Sequence, residues 1–230
     1  MMGRPVYKNY ATSFTSNPMF YFTLNPNRVI FFSLLALLTL YVVFTEFVFL
    51  GDKDSDLSHY KAMQWILIPH GLFGLTALIL GPFQFSTTLR KKNIKLHKLI
   101  GKTYIIAILL AAPFAILLNI YYPIPGAKIT FAFENFTQAS VWAITALMAW
   151  IAAYRRQITI HKIWAARSYG LTLVFVLSRI KNPMELLIEK PDINDFAHFL
   201  WLLIVLALII PDMLVFGKEL FGRKKPRTVN

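Results

Sequence analysis

The sequence predicts an all-α integral membrane protein, a bundle of six transmembrane helices with both termini cytoplasmic. The chain of 230 residues is 57% hydrophobic and 15% charged, whereas soluble domains carry about 25% charged residues. Its mean hydropathy is +0.54, and several apolar runs reach the roughly 20 residues that a helix needs to cross a bilayer. Lysine and arginine gather in alternate loops, as the positive-inside rule describes.

Six apolar runs form the predicted spans. They are Val29–Leu50, Met63–Phe85, Leu99–Tyr122, Phe131–Tyr154, Ile163–Ile180 and Phe196–Phe216. We expect a kink at Pro113 in the third span and a break at Pro211 near the end of the sixth, because proline removes a helical hydrogen bond. The six runs together define a membrane domain over residues 29–217.

Charge sets the expected orientation. The N-terminal tail holds three cations and the C-terminal tail five, while the loops after the second and fourth spans hold six and four. The loops after the first, third and fifth spans hold only two, one and three. Acidic residues show the opposite bias, and Glu134 among them is expected in an outer loop. Both termini are then cytoplasmic, which requires an even number of spans.

Two tails flank the membrane domain. Residues 1–28 are polar and aromatic, which suits either the headgroup region or docking against a partner subunit. They contain no apolar core of a cleavable signal peptide. Residues 218–230 form a basic cytoplasmic tail that we expect to be disordered.

Composition excludes several chemistries. The chain has no cysteine, which excludes disulfides, thiolate catalysis, Cys-ligated zinc and iron–sulfur clusters. The net charge of +13 follows from membrane topology, and no recognition motif accompanies it, so nucleic acid is not an expected partner.

Two basic elbows repeat one pattern. The first elbow, Leu89–Tyr104, and the second, Tyr154–Tyr169, each contain a basic loop, a His-Lys pair, a small residue, a cation, a hydroxyl residue and a tyrosine. Each elbow lies between two spans and is therefore the expected cytoplasmic turn of a helical hairpin. The spacing from histidine to tyrosine differs by one residue, so the two elbows form a pseudo-repeat.

Histidines carry the main functional prediction. His97 and His161 open the third and fifth spans, His70 lies near the middle of the second, and His198 lies in the first turns of the sixth. Ionisable groups in spans are expensive and mark functional sites, and imidazole is a normal axial ligand of haem iron. We therefore predict a b-type haem between His97 and His161, with His70 as a further metal ligand. His70 and His198 would bracket an outer haem, although they differ in depth by roughly 5–10 Å.

Neighbouring residues suit such a cofactor. A small residue stands four positions after three of the histidines (Gly74, Gly101 and Ala165), which would leave room for a flat macrocycle. Cationic side chains would hold the haem propionates. The remaining predicted cofactor-binding residues are Lys98, Lys102, Lys162, Arg167, Tyr104 and Tyr169.

Other interpretations stay open beside the haem. Interfacial His97 and His161, surrounded by cations, would also bind lipid phosphates. His70 could make a hydrogen bond to a neighbouring helix, worth about 1 kcal/mol. A hydrolytic zinc site is a weaker alternative, because the chain has no HExxH motif.

Two further polar positions invite structural predictions. Glu46 and Arg179 lie near the outer ends of their spans and are expected to form an ion pair that makes each tolerable in the membrane. Asp212, next to Pro211, is expected to face the basic inner surface.

A resemblance to a family rests on four segments. His70–Leu78, Gly81–Phe85, His97–Tyr104 and His161–Tyr169 resemble the core of a family of bacterial predicted membrane proteins of unknown function. The architecture is also similar in outline to the cytochrome b561-type di-haem proteins, six-span electron carriers with paired histidines. That second resemblance implies haem binding and electron transfer, although the ligand histidines of those proteins lie well inside the helices.

Three functions therefore compete. The first is haem-based electron transfer between a quinone or protein partner and the other membrane face. The second is a non-enzymatic subunit that binds anionic lipid headgroups and a partner protein. The third is a lipid- or quinone-directed enzyme at the inner interface, using His97, His161, Tyr104 and Tyr169. The expected location is the bacterial inner membrane.

Overall fold

A computed structural model of the chain describes residues 33–44, 58–121, 129–178 and 193–221. The chain divides into two units, Met1–Leu37 and Leu38–Asn230. The described residues of the first unit form only the start of a helix. The described helices from Ser58 onward all belong to the second unit.

The described chain is helical apart from short turns and contains no strand. Its helices are α1 (Ser33–Phe44), α2 (Ser58–Gln84), α3 (Thr87–Lys92), α4 (Ile94–Tyr121), α5 (Ile129–Tyr154), α6 (Ile158–Leu177) and α7 (Ile193–Phe221). The all-α prediction is confirmed for this part of the chain.

Four helical segments are long and apolar enough to cross a membrane: Met63–Gln84, Ile94–Tyr121, Ile129–Tyr154 and Asp195–Met213. A multi-pass membrane protein is therefore confirmed. The count of six spans and the orientation stay predictions. The first predicted span is described only over Ser33–Phe44, and the 20-residue helix α6 is not among the four because charged and hydroxyl side chains interrupt its apolar sequence.

The break predicted at Pro211 is wrong. Helix α7 runs through Pro211 to Phe221, past the predicted end of the membrane domain at residue 217. Neighbouring helices in a membrane can offset the backbone hydrogen bond that an internal proline removes. Pro211 is itself buried, and the next residue, Asp212, is held by an ion pair described below.

Four helices form the centre of the second unit. Helix α2 packs against α4, α4 against α5, α5 against α6, and α6 back against α2. Helix α7 packs outside this ring, against α5 and α6. The two elbows, which join α2 to α4 and α5 to α6, therefore lie at the same end of the ring. We call this the elbow end and the opposite one the outer end.

Small side chains let these helices approach closely, as is usual in membranes. The buried alanines are Ala77, Ala107, Ala111, Ala112, Ala139, Ala146, Ala149, Ala152, Ala197 and Ala207. A Cβ at Gly170 would lie 2.7 Å from the carbonyl oxygen of Ala207, so α6 and α7 touch through their backbones. Large apolar side chains such as Leu72, Leu99 and Phe133 point outward instead, as expected of a surface that faces lipid.

The elbows place their histidines alike. The backbone N–H of His97 donates to the Asn93 carbonyl at 3.0 Å, and that of His161 donates to the Gln157 carbonyl at 2.8 Å. In the first elbow the Asn93 side chain also accepts from the Leu96 N–H at 2.9 Å, which caps the start of α4. Both histidines therefore lie in the first turn of a helix that enters the bundle.

Candidate functional site at the elbow end

The two elbow histidines are neighbours. His97 and His161 are close enough to interact electrostatically. Each comes from the first turn of its own helix, α4 or α6. The pseudo-repeat therefore brings its two histidines together at one end of the bundle.

His161 has a fixed tautomer. Its Nδ1 lies 2.9 Å from the carbonyl oxygen of Ala149 on α5. A carbonyl can only accept, so Nδ1 must carry the hydrogen, and Nε2 of the neutral ring is left as an acceptor. The ring also borders a cavity, which makes His161 a candidate proton acceptor there.

The cavity lies between the two halves of the pseudo-repeat. Its volume is about 30 Å³, and its walls come from Gly81, Gln84, Gly101, Tyr104, Ile105, Ala149, His161 and Ala165. Gly101 and Ala165 both stand four residues after an elbow histidine, so the small residues of the pattern do border a shared space. A volume of this size is enough for one or two water molecules.

Three polar atoms of the elbow residues and of Gln84, which lines the cavity, lack protein partners among the described residues. Gln84 Nε2, His97 Nδ1 and the Tyr169 hydroxyl are buried and make no hydrogen bond within the described part of the chain. Buried polar groups of this kind are normally satisfied by water or by a ligand. The elbow end is therefore a polar site with unused hydrogen-bonding capacity.

Tyr104 connects this site to the middle of the bundle. Its hydroxyl lies 3.0 Å from Ser168 Oγ and 3.3 Å from Thr172 Oγ1. Trp142 Nε1 donates to Thr172 Oγ1 at 2.9 Å, and that hydroxyl donates to the Ser168 carbonyl at 3.0 Å. Side chains from α4, α5 and α6 thus form one buried hydrogen-bonded network.

Tyr169, the matching tyrosine of the second elbow, has a different role. Its ring lies against Gly81 so closely that a Cβ at position 81 would overlap it. The ring also packs at 5.8 Å from the Phe85 ring. The one-residue slip in the pseudo-repeat places Tyr169 in helix packing, while Tyr104 reaches the hydroxyl network.

Arg167 is paired within the protein. Its guanidinium makes two hydrogen bonds to the Asp212 carboxylate, with Nε 2.9 Å from Oδ1, and it lies 4.8 Å from the Trp164 ring centroid. The predicted role of Arg167, holding a haem propionate, stays a prediction; in the structure the acid that Arg167 meets is Asp212. Lys98, Lys102 and Lys162 are exposed.

His70 and His198, the histidines predicted to bracket an outer haem, have different surroundings. His70 Nδ1 lies 3.0 Å from the Ala111 carbonyl oxygen, and its ring packs edge-on against Phe175 at 6.0 Å. This is the interhelical hydrogen bond considered as the alternative for His70. The His198 side chain is exposed on α7. The predicted Glu46–Arg179 pair lies outside the described residues.

The residues at the elbow end do not fit a haem as they are placed. Cofactor sites enclose roughly 300–1,000 Å³, whereas the cavity here measures about 30 Å³. Gln84 Oε1 lies 2.8 Å from where a Cβ on Gly101 would stand, so the Gln84 side chain fills the room predicted for the macrocycle. The weaker zinc alternative finds no support among the described residues, which contain no group of three or more His, Cys, Asp or Glu that could hold a metal ion.

Glu134 is a functional candidate that the sequence reasoning missed. We expected it in an outer loop, but it lies in α5 with 0% of its surface exposed. Both carboxyl oxygens are buried without a hydrogen-bond partner among the described residues. The sequence did contain a sign of this position. Glu134 precedes Thr145 by 11 residues, about three helical turns, so in a helix the two residues lie on the same face, which is buried in α5.

Comparison with known proteins gives one match. A family model described as "Predicted membrane protein (DUF2306)" matches residues 66–215. Neither the curated proteins nor the solved structures contain a match to the chain. The matched residues include both elbows, the cavity and Glu134.

Proposed function

The chain belongs to the DUF2306 family of predicted membrane proteins, and we propose that it moves protons between the elbow end and the interior of its helical bundle. The observation that carries this proposal is the hydrogen-bonded network of Tyr104, Ser168, Thr172 and Trp142 behind a polar cavity. Chains of ionisable and hydroxyl side chains inside spans mark proton relays.

The relay begins at the histidines. His97 and His161 lie at the elbow end, and an imidazole ring can both accept and donate protons. His161 and Tyr104 border the same cavity, so one or two water molecules there would link imidazole to phenol. From Tyr104 the hydroxyls of Ser168 and Thr172 extend the route by hydrogen bonds of 3.0 and 3.3 Å.

Proton flux into vesicles tests the proposal. The full chain is reconstituted in liposomes that contain a pH-sensitive dye, and a potassium diffusion potential supplies the driving force. We expect flux above that of protein-free liposomes, and Tyr104→Phe should lower it at least about tenfold because one relay member is lost. The fold should survive, since Trp142, Thr172 and Ser168 keep their mutual hydrogen bonds.

Tyr154→Phe is the matched control. Tyr154 also lies at the elbow end, but it is 85% exposed, so loss of its hydroxyl should leave the flux unchanged. The proposal fails if the wild-type flux equals that of protein-free liposomes, or if Tyr104→Phe conducts as well as Tyr154→Phe.

A second role is favoured by the exposed elbow cations. Lys98, Lys102 and Lys162 are exposed and form no ion pair in the described part of the chain. They would bind anionic lipid phosphates beside the cavity. Replacing all three with glutamine should reduce the anionic phospholipid that stays bound in native mass spectra, and unchanged lipid binding would exclude this role.

Haem-based electron transfer has less support than the proton relay. It is favoured by the position of His97 and His161 at the same end of the bundle, but the Gln84 side chain occupies the space beside Gly101 where the macrocycle would lie.

A further inference from the structure

We propose that Glu134 is a proton-binding site at the outer side of the bundle, an acid that holds its proton in the arrangement described here. The inference rests on the proposed proton relay and extends it, because it names a second proton-binding group in the same helical bundle. Its physical basis is a carboxyl group that is fully buried and unpartnered among the described residues.

Glu134 lies where helices α4 and α7 pack against α5. Asn119 Nδ2 on α4 donates to the Ala132 carbonyl of α5 at 2.8 Å, and the Phe131 ring lies 6.4 Å from the Phe196 ring of α7. Helices α4 and α7 therefore contact α5 within one turn of Glu134. The carboxyl group is enclosed by protein and not turned toward the headgroups.

No described cation is placed to neutralise a carboxylate there. Of the helices packed against α5, the outer part of α4 offers only Tyr121, and the described outer part of α6, Leu171–Leu177, has no titratable residue. Helix α7 offers Asp195, which is itself an acid, and the exposed His198. On α2, His70 interacts with Ala111 and Phe175.

The elbow cations are too far away to take this role. Glu134 lies 20 residues before Tyr154 on one helix, which is roughly 30 Å at the helical rise. Arg167, the cation nearest the bundle interior, is held by Asp212. An isolated carboxylate in such surroundings is very costly, and the usual outcome is that the group takes up a proton.

The position of Glu134 suits a relay member. Trp142, the last group of the hydroxyl network on α5, lies eight residues later, roughly 12 Å farther from the outer end. The half-buried side chain of Gln138 lies between them, one turn after Glu134. The exchange at Glu134 balances as a loss of one proton from the carboxyl group to water and the uptake of another by the carboxylate.

Carbodiimide labelling tests the site directly. Dicyclohexylcarbodiimide enters membranes and reacts with protonated carboxyl groups in apolar surroundings. The full chain in proteoliposomes is treated over a range of pH, and the adducts are located by peptide mass spectrometry. We expect an adduct on Glu134 at neutral pH that decreases at alkaline pH, and none on Asp212, which is ion-paired.

Two variants connect labelling to transport. Glu134→Gln should lose the adduct and lower the proton flux at least tenfold, and its neutral side chain should not harm folding. Asp212→Asn is the control and should keep the adduct on Glu134. No adduct on folded wild-type protein at any pH would overturn the inference, since it would mean that the carboxyl is ionised and paired.

The outcomes separate the two proposals. Normal flux in Glu134→Gln would overturn the inference and leave the elbow relay standing. An adduct on Glu134 in a protein that conducts no protons would overturn the proposed function and leave Glu134 as a buried proton-binding group. Protection of Glu134 by sodium at constant pH would show a metal-cation site and would also overturn the inference.

Discussion

The contact between α6 and α7 makes Gly170 a sensitive position. A Cβ there would lie 2.7 Å from the Ala207 carbonyl oxygen and 3.3 Å from its Cα. These are backbone atoms, so relief requires one whole helix to shift. Gly170→Ala should therefore be destabilising, although alanine is the better helix former.

The magnitude follows from two opposing effects. Overpacking of a close contact costs about 1–3 kcal/mol, and the change from glycine to alanine in a helix returns up to about 1 kcal/mol. We expect a net loss of about 1–2 kcal/mol in the free energy of unfolding. Gly74→Ala is the matched control, because a Cβ at Gly74 meets no atom within 4 Å, and it should be neutral or stabilise by about 0.5–1 kcal/mol.

The assay is reversible unfolding of the purified protein in mixed micelles, titrated with a denaturing detergent. The two alanine variants should differ by about 2 kcal/mol, which is roughly a 30-fold difference in the unfolding equilibrium. If Gly170→Ala proved as stable as Gly74→Ala, the close packing of α7 on α6 would be refuted.

Two further predictions concern the elbow end. Arg167→Gln should lower the free energy of unfolding by about 1–3 kcal/mol. The Arg167 and Asp212 side chains are 26% and 34% exposed, so we expect their ion pair to be stronger than a surface pair and weaker than a fully buried one. In a double-mutant cycle, the variant that combines Arg167→Gln with Asp212→Asn should lose about 1 kcal/mol less stability than the sum of the two single losses. If the losses simply add, the two groups do not interact. Protein purified from haem-replete cells should be colourless, because Gln84 fills the room beside Gly101; a Soret band that shifts on dithionite would contradict this.

Local sequence patterns were enough for much of the fold. Long apolar runs predicted α2, α4 and α5 within a few residues, because burial in lipid demands an uninterrupted apolar stretch of fixed length. The elbow pattern also indicated two equivalent hairpin turns, and the structure places His97 and His161 in the first turn of equivalent helices.

Long-range pairing could not be predicted in the same way. Arg167 and Asp212 are 45 residues apart, and nothing local distinguishes that pair from Glu46 with Arg179. The break expected at Pro211 does not occur, because the rule that proline interrupts a helix holds for isolated helices, whereas α7 packs against neighbouring helices. Glu134 was predicted in a loop because its negative charge matched the acidic outer loops, and its spacing along the helical face of α5 was not considered.

The two elbow histidines differ in how their rings are held. The His161 ring must give up its hydrogen bond to Ala149 before it can rotate, whereas His97 Nδ1 has no such bond to break within the described chain. On the proposed relay, we therefore expect His161 to keep its orientation while it accepts and donates protons, and the His97 ring to reorient more readily.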